Sequence, residues 1–336
     1  MILFALFGIA YGVVLQRSGF CFARAAFELF LLRTREAVNG VMAALLVTTI
    51  GFGAVTLVRD HAGLADSNHL LVIPVGLATV LGAVLFGFGT TLAGMCAAGT
   101  LQRAGEGYAS AWAALAGILL GAALDPFAPL RDGIPVLAGV ELSLSQWMHP
   151  ALSFPLTIAA LLLLWMALSR RSGAPAPDLE PAPTSWRGRA RSYLAPAVVG
   201  GLLLGLLNTA QLAVAVPWTV GYPLTLIPSL FAGGHSHASL QNALPLLALD
   251  GGLLLGAVLS GALAGGLRFR WPRRSRDVAV ALAGGIFMGW GIQTAHACNI
   301  GGILSSIPSL SLSGWVYLPS MLFGAWLGAK LFAKLA

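Results

Sequence analysis

The three cysteines are the residues of this chain with the most distinctive chemistry. Cys21, Cys96 and Cys298 each stand near glycines in otherwise apolar sequence. An odd number of cysteines argues against a complete disulfide framework, and no C-x-x-C pair supports a thioredoxin-like redox site or a zinc knuckle. A buried cysteine is often only a small hydrophobe. Thiols beside glycine-marked helix breaks are also suited to contact a small anion, and we favour that interpretation.

Two of the cysteines belong to an internal repeat. Segment 87–99 aligns without gaps with segment 289–301, and both read G-x-G-x-x-x-A-x-x-C-x-x-G. After a one-residue shift the match extends to Gly121 and Gly324. Chance does not readily produce this agreement, even in a glycine-rich chain, so the pattern predicts two related halves. A fainter echo places Gly8 and Gly12 opposite Gly201 and Gly205.

The residues after each repeated cysteine predict a break in a membrane helix. Non-helical backbone is tolerated in a bilayer only where it is buried in protein or lines a polar cavity. We expect Gly99 and Gly301 to supply the unusual backbone angles of these breaks. Half-helices that begin near Thr100 and Gly302 would then point free N–H groups at an anion. The candidate substrate-binding residues of the two motifs are Cys96, Gly99, Thr100, Cys298, Asn299, Gly301 and Gly302.

Cys21 has a different setting, between two arginines. Arg17 and Arg24 lie in an otherwise apolar stretch, where a charged side chain is costly unless it is solvated or paired. We include both with Cys21 in the candidate site, to attract or release an anion on the cytoplasmic side. The alternative is that they only anchor the chain at the membrane surface. Glu28, four residues after Arg24, is positioned to pair with it along a helix.

The composition places the chain among membrane proteins. It is 57% hydrophobic and only 9% charged, whereas a soluble domain has about 25% charged residues. The net charge of +7 is concentrated in connecting segments, chiefly Arg170–Arg191 and Arg268–Arg276. Such segments are held on the cytoplasmic side during insertion, so we expect a lipid bilayer around the chain and no nucleic-acid partner. We also expect no cofactor and no metal.

The hydropathy pattern predicts an all-α polytopic fold. Spanning helices need roughly 20 apolar residues. On that basis we predict nine transmembrane helices, at 2–16, 38–58, 74–92, 108–124, 150–168, 194–215, 244–266, 278–294 and 315–333. Half-membrane pieces or loops are expected at 21–32, 97–103, 222–232 and 299–312, and a linker at Ser172–Arg191.

The basic segments also predict the orientation. With both in the cytoplasm, nine spans place the N-terminus in the periplasm and the C-terminus in the cytoplasm. The two copies of the repeat then run in opposite directions through the membrane. Inverted repeats with broken helices and a site at mid-membrane are a recurrent plan of transporters. The predicted division is residues 1–125 as the first repeat, 126–193 as a connecting helix and cytoplasmic linker, and 194–336 as the second repeat.

At these motifs the sequence resembles the YeeE/YedE sulfur-transport family. The resemblance is most specific at segments 16–22, 94–107, 297–302 and 310–315. It implies a compact nine-helix fold with an hourglass-like waist in a bacterial inner membrane. It also implies uptake of thiosulfate, handed between the thiols of Cys21, Cys96 and Cys298 by S–H hydrogen bonds without cleavage. A cytoplasmic sulfurtransferase of the small sulfur-carrier type is the implied acceptor.

The sequence departs from that family in two places. Segment Pro217–Ser239 has no cysteine, although thiosulfate-transporting members can carry one there, and Gly19 stands where a basic residue is common. Sulfite, a persulfide or a selenium species therefore stay open as substrates.

Two other classes of function fit parts of the same sequence pattern. A membrane sulfurtransferase or thiol oxidoreductase needs an activated thiolate, and His296, two residues before Cys298, is its support. The repeat partner of His296 is Gly94, so the motif does not require a base. A passive small-anion channel fits the repeat equally well. We predict a transporter and not an enzyme.

Overall fold

The computed structural model describes residues 1–32, 36–63, 70–124, 139–170, 197–231, 237–265, 268–272 and 274–335. The predicted linker Ser172–Arg191 lies outside these ranges. Within them the chain is helical and contains no β-strand. The helices are α1 (Ile2–Ser18), α2 (Phe22–Phe27), α3 (Glu36–His61), α4 (Leu77–Ala93), α5 (Ala97–Gly105), α6 (Ala109–Ala123), α7 (Pro150–Arg170), α8 (Ala197–Val214), α9 (Tyr222–Phe231), α10 (His237–Leu263), α11 (Ser275–Ala295) and α12 (Leu312–Leu335).

Seven helical stretches in the described part of the chain are long and apolar enough to cross a membrane. Three of them combine a long helix with the short helical piece that follows a break. The stretches are Ile2–Phe30, Glu36–His61, Leu77–Gly105, Pro150–Leu168, Ala197–Val214, Ala243–Leu263 and Ser275–Ser305. Ala109–Ala123 is apolar but shorter. The chain is therefore an all-α, multi-pass membrane protein.

The predicted segments and the observed helices agree closely in position. Each of the nine predicted spans is occupied by a helix, and the largest shift is in α10, which begins at His237 instead of residue 244. Polar residues can continue a helix beyond its apolar part, and hydropathy does not detect that extension. The predicted piece 299–312 is a π-helical turn, Ile300–Ser305, followed by hydrogen-bonded turns.

Close backbone packing at glycines joins helices of the first half of the chain to helices of the second half. A methyl group added at Gly87 of α4 would overlap the carbonyl oxygen of Met321 in α12. Its repeat partner, Gly289 of α11, stands in the same relation to the carbonyl oxygen of Ile118 in α6. Small residues allow this close approach of membrane helices.

A second pair of glycine contacts is also related by the internal repeat. A methyl group at Gly121 would overlap the Ile286 carbonyl oxygen, and one at Gly324 would overlap the Val84 carbonyl oxygen. The shift of 202 residues that aligns Gly87 with Gly289 in the sequence also aligns Val84 with Ile286. The faint echo behaves likewise, because Gly8 packs on the Leu249 carbonyl and Gly201 on the Gly40 carbonyl.

We expect Gly87→Ala and Gly289→Ala to destabilise the protein. The added methyl must push two helix backbones apart, and overpacking of this kind costs about 1–3 kcal/mol. Gly251→Ala is the matched control, because no heavy atom lies within 4 Å of an added methyl there. In detergent, the unfolding temperature should be lower for Gly87→Ala and Gly289→Ala than for the unchanged protein, and it should be unchanged for Gly251→Ala. Equal unfolding temperatures for all three would contradict the close packing.

Candidate functional site

All three cysteines stand at the same place relative to a helix break. The residue two positions before each cysteine has a left-handed backbone conformation, and a new helix or helical turn begins one or two residues after the cysteine. The left-handed residues are Gly19 (φ 62°), Gly94 (φ 69°) and His296 (φ 54°). Each thiol therefore lies at the start of a short helical segment inside the membrane region.

This geometry corrects the predicted position of the breaks. Gly99 and Gly301 do not have positive φ angles, and α5 begins at Ala97, before Thr100. Likewise the second helical turn begins at Ile300, before Gly302. The unusual angle belongs to the residue that ends the preceding helix, because a helix commonly terminates in a left-handed residue. His296 adopts it without being glycine, and its ring lies 5.2 Å from that of Tyr222.

One or two backbone N–H groups from the start of each new segment lie beside the sulfur atom. The first N–H groups of a helix have no partner within the helix, and they suit a negative or polarizable group. The pairs are Cys21 with the N–H groups of Ala23 and Arg24, Cys96 with that of Gly99, and Cys298 with those of Ile300 and Gly301.

Cys21 and Cys96 form one cluster around Gly99. Their side chains interact, and a methyl group added at Gly99 would lie 3.5 Å from the Cys21 Sγ and 3.6 Å from the Cys96 Sγ. Gly99 therefore keeps the space beside the two thiols open. The hydroxyl and the N–H of Thr100 both donate to the Cys96 carbonyl, at 2.9 and 2.7 Å, so both donors already have a partner within α5 and its first turn.

Cys298 is joined to this cluster by the segment that precedes α9. Its thiol donates to the Val220 carbonyl. A methyl group at Gly221 would lie 3.2 Å from the Cβ of Cys298 and 3.3 Å from the Cβ of Ala97. With φ at +90°, Gly221 is at a position that disfavours any side chain. Val220 and Gly221 were missed by the sequence analysis, and they fall within the segment 217–239 that lacks a cysteine.

Two buried polar side chains beside Cys298 have no hydrogen-bond partner among the described residues. Asn299 is 1% exposed, and neither its Nδ2 nor its Oδ1 is bonded. Asp250 of α10 is also 1% exposed with both carboxylate oxygens unbonded, and it interacts electrostatically with the Cys298 thiol. Asn299 was predicted as a site residue. Asp250 was not, because hydropathy identified its helix only as an apolar span.

The remaining glycines of the second motif differ in their surroundings. A methyl group at Gly301 would meet only Thr219 and Leu71, at 3.5 Å or more, whereas one at Gly302 would lie 3.0 Å from the Tyr317 ring. The Gly302 N–H donates to the Cys298 carbonyl at 2.6 Å. Gly302 thus closes the turn that carries Cys298, and Gly301 leaves space next to it.

The two predicted arginines are bonded to protein groups. Arg17 Nε donates to the Ser260 hydroxyl at 2.9 Å, which ties α1 to α10. Arg24 forms ion pairs with Glu28 and Glu36, each at 3.0 Å, so the predicted Arg24–Glu28 pair is confirmed. A role for Arg17 and Arg24 toward an anion stays a prediction.

A basic cavity lies beside the residues that precede Cys96. It has a volume of about 400 Å³ and is lined by Gly94 and Met95 from the break, by three arginines and by one acidic residue. Those charged residues are Arg103, Arg274, Arg276 and Asp277. Its charge suits a small anion. Within the described ranges no group of three or more His, Cys, Asp or Glu residues is placed to hold a metal ion.

Several known proteins are similar to this chain in sequence. The thiosulfate transporter TsuA of Spirochaeta thermophila is 28% identical over an alignment of 346 residues, which covers 96% of each protein. The thiosulfate transporter TsuA of Escherichia coli is 25% identical over 338 residues, covering 95% of this chain and 91% of that protein. The probable transporter YedE of Salmonella typhimurium is 34% identical over 91 residues, or 26% of this chain and 22% of that protein.

The family comparison covers nearly the whole chain. The family described as sulphur transport matches residues 17–327, a range that includes all three cysteines and both copies of the repeat. The chain is therefore a member of the sulphur transport family, the group with YeeE/YedE proteins that its cysteine motifs resemble.

Proposed function

We propose that this protein imports thiosulfate, or a closely related small sulfur anion, across a bacterial inner membrane. Family membership and the relatives named thiosulfate transporter support transport of a sulfur anion. The observation that carries the proposal further is the grouping of the three thiols. Each lies at a helix start inside the membrane region, and Gly99 and Gly221 connect them into one region.

The proposed mechanism is a relay of hydrogen bonds from thiols. A thiol is a weak and polarizable donor, so it can hold the terminal sulfur of thiosulfate without trapping it. Weak binding matters because a transported ion must also leave. The N–H groups at the helix starts provide most of the stabilisation of the anion's negative charge. Cys298 donates to the Val220 carbonyl in this structure, so its S–H must turn from that carbonyl to the anion.

We further propose that the chain consists of two inverted repeats with nine spanning helices. The repeats are residues 1–125 and 194–336, and residues 126–193 connect them. The exchanged glycine contacts support a twofold relation, because a rotation that swaps the halves must turn each contact into its partner. The basic segment near Arg268 supports a cytoplasmic position for the α10–α11 connection. The N-terminus is then periplasmic and the C-terminus cytoplasmic.

Reporter fusions test this orientation. A green fluorescent reporter fused after Leu335 should fluoresce, because it folds in the cytoplasm, and alkaline phosphatase fused after His61 should be active in the periplasm. Exchanging the two reporters at the same sites is the control and should abolish both signals. Fusion sites on the same side of the membrane would overturn the nine-span topology and the inverted relation.

The basic cavity next to Met95 is the proposed exit toward an acceptor. Arg103 in the last turn of α5 and Arg274 just before α11 both line the cavity, on the side that the proposed topology places toward the cytoplasm. An anion that leaves Cys21 and Cys96 would therefore meet positive charge before it reaches the cytoplasm. A small sulfur-carrier or sulfurtransferase protein is the proposed recipient.

Replacing any one cysteine by alanine should stop the relay. For Cys21→Ala, Cys96→Ala and Cys298→Ala, uptake of labelled thiosulfate into proteoliposomes should fall at least about tenfold, the effect of losing roughly one hydrogen bond. Ser320→Ala is the control, because that hydroxyl bonds to the Val316 carbonyl of its own helix. Sulfate and sulfite serve as competitors. Uptake at the control rate by the three cysteine variants would rule out the relay.

A membrane sulfurtransferase or thiol oxidoreductase is the second candidate. The contact between Cys21 and Cys96 supplies the paired thiols that such an enzyme requires. Transport through thiol hydrogen bonds leaves the S–S bond of thiosulfate intact, whereas attack by a thiolate breaks it. A passive channel for small anions would also leave it intact, and it differs from the relay in tolerating the loss of the thiols.

Thiosulfate labelled separately at its two sulfur atoms distinguishes these chemistries. Because the relay breaks no covalent bond, both labels should accumulate inside proteoliposomes in equal amounts. Mass spectrometry of the protein during turnover should find no persulfide on any cysteine. Unequal labels, or a persulfide on Cys298, would favour the sulfurtransferase instead.

A further inference from the structure

We propose that Asp250 is a proton-binding site next to the anion position at Cys298, and that the anion crosses the membrane together with a proton. This inference rests on the proposed function, since it concerns how the same site is driven. Nothing in the cysteine motifs requires a carboxylate at this place. Asp250 is distinguished by its buried position and by the absence of a hydrogen-bond partner among the described residues.

Asp250 is buried within the span Ala243–Leu263, and no described residue bonds to it. Its side chain is 1% exposed, and neither oxygen has a hydrogen-bond partner. Ionisable side chains inside membrane spans are rare and usually pair or serve transport. The backbone N–H of Gly221 lies beside the carboxylate, although not in a well-formed hydrogen bond. A carboxylate in this position serves no evident structural purpose.

The carboxylate lies beside Gly221, on the side of α10 that packs toward α5. One helical turn further on, Leu254 packs on Gly105 of α5, so Asp250 lies on the side of α10 that is turned toward α5. The N–H group beside it belongs to Gly221, which touches both Cys298 and Ala97. Its interaction with the Cys298 thiol is electrostatic.

The elements packed against α10 carry several titratable or charged groups. The helices packed against α10 are α1, α5 and α9. They carry Tyr11, Arg17, Arg103 and Tyr222 as titratable or charged residues, and Cys298 belongs to the turn that contacts Gly221. Arg17 of α1 donates a hydrogen bond to the hydroxyl of Ser260, which lies in α10 like Asp250. Of these groups, Cys298 interacts electrostatically with Asp250.

The internal repeat gives an independent reason to regard Asp250 as functional. The paired contacts of Gly8 with Leu249 and of Gly201 with Gly40 align α3 with α10. In that alignment the residue opposite Asp250 is Val41, which is buried and apolar. In α3 a hydrophobic side chain is therefore sufficient for packing at this position. The carboxylate of Asp250 in α10 is not required by the packing that the two helices share.

The charge of the substrate links the acid to transport. Thiosulfate is a dianion, and a negative carboxylate beside it would repel it. A protonated Asp250 removes that repulsion and offers an O–H donor next to Cys298. Loss of the proton toward the cytoplasm restores the repulsion and displaces the anion. A proton carried with each anion also offsets part of the inside-negative membrane potential, which opposes import of a dianion.

Accumulation of thiosulfate in proteoliposomes tests the coupling. With the membrane potential held at zero by potassium and valinomycin, one proton per anion predicts about tenfold accumulation for an outside medium one pH unit more acidic. Asp250→Asn keeps a donor but cannot bind a proton, so it should equilibrate thiosulfate to a ratio of about one. Asp60→Asn, at an exposed carboxylate near the end of α3, should accumulate as the unchanged protein does.

Each result assigns the failure to a distinct idea. Equilibration without accumulation by the unchanged protein would overturn proton coupling and leave thiosulfate transport standing. No entry of thiosulfate at all would overturn the proposed function itself. Tenfold accumulation by Asp250→Asn would show that the proton binds elsewhere. If Asp250→Asn is inactive, Asp250→Glu decides: accumulation by that variant supports the proton site, and inactivity of both assigns Asp250 to folding or anion binding and overturns the coupling.

Discussion

A backbone that leaves its helix inside a bilayer must find hydrogen-bond partners within the protein, and the site depends on this constraint. Three helices end in a left-handed residue, and a new helical segment begins shortly after the next cysteine. The break leaves the first N–H groups of each segment without helical partners, and one or two of these groups lie beside each sulfur atom. The same interruption thus provides both the thiol and the polar groups that an anion needs.

The helices and the cysteine-bearing breaks could be predicted because both leave local patterns. Apolar runs located the spans, and the repeat located Cys96 and Cys298. The conformation of the breaks was assigned to the wrong glycines. A usable signal was present, since Gly19 and Gly94 each stand two residues before a cysteine, but the residue at that position before Cys298 is His296 and not glycine. Gly221 and Asp250 gave no local signal, because their role comes from contacts with residues distant in sequence.

The two copies of the sequence repeat share a pattern but not their chemistry. Position 97 in the first motif is alanine, whereas its partner in the second is Asn299, which is buried and unbonded. Val41 corresponds to Asp250 in the same way. Asn299 and Asp250 therefore give the surroundings of Cys298 unbonded polar groups that the matching positions of the first half lack, while Cys21 and Cys96 meet across the open space at Gly99. This asymmetry distinguishes the two ends of the proposed path.

The glycine contacts between α4, α6, α11 and α12 have a mechanical consequence. Backbones that leave no space for a methyl group cannot slide or tilt past one another without collision, and these contacts join helices from both ends of the sequence. Rocking of one half against the other, the usual movement of transporters with repeats, would have to break all of them together. The proposed relay does not need such a movement, because it requires only small rotations of side chains and of the Val220–Gly221 segment beside Cys298.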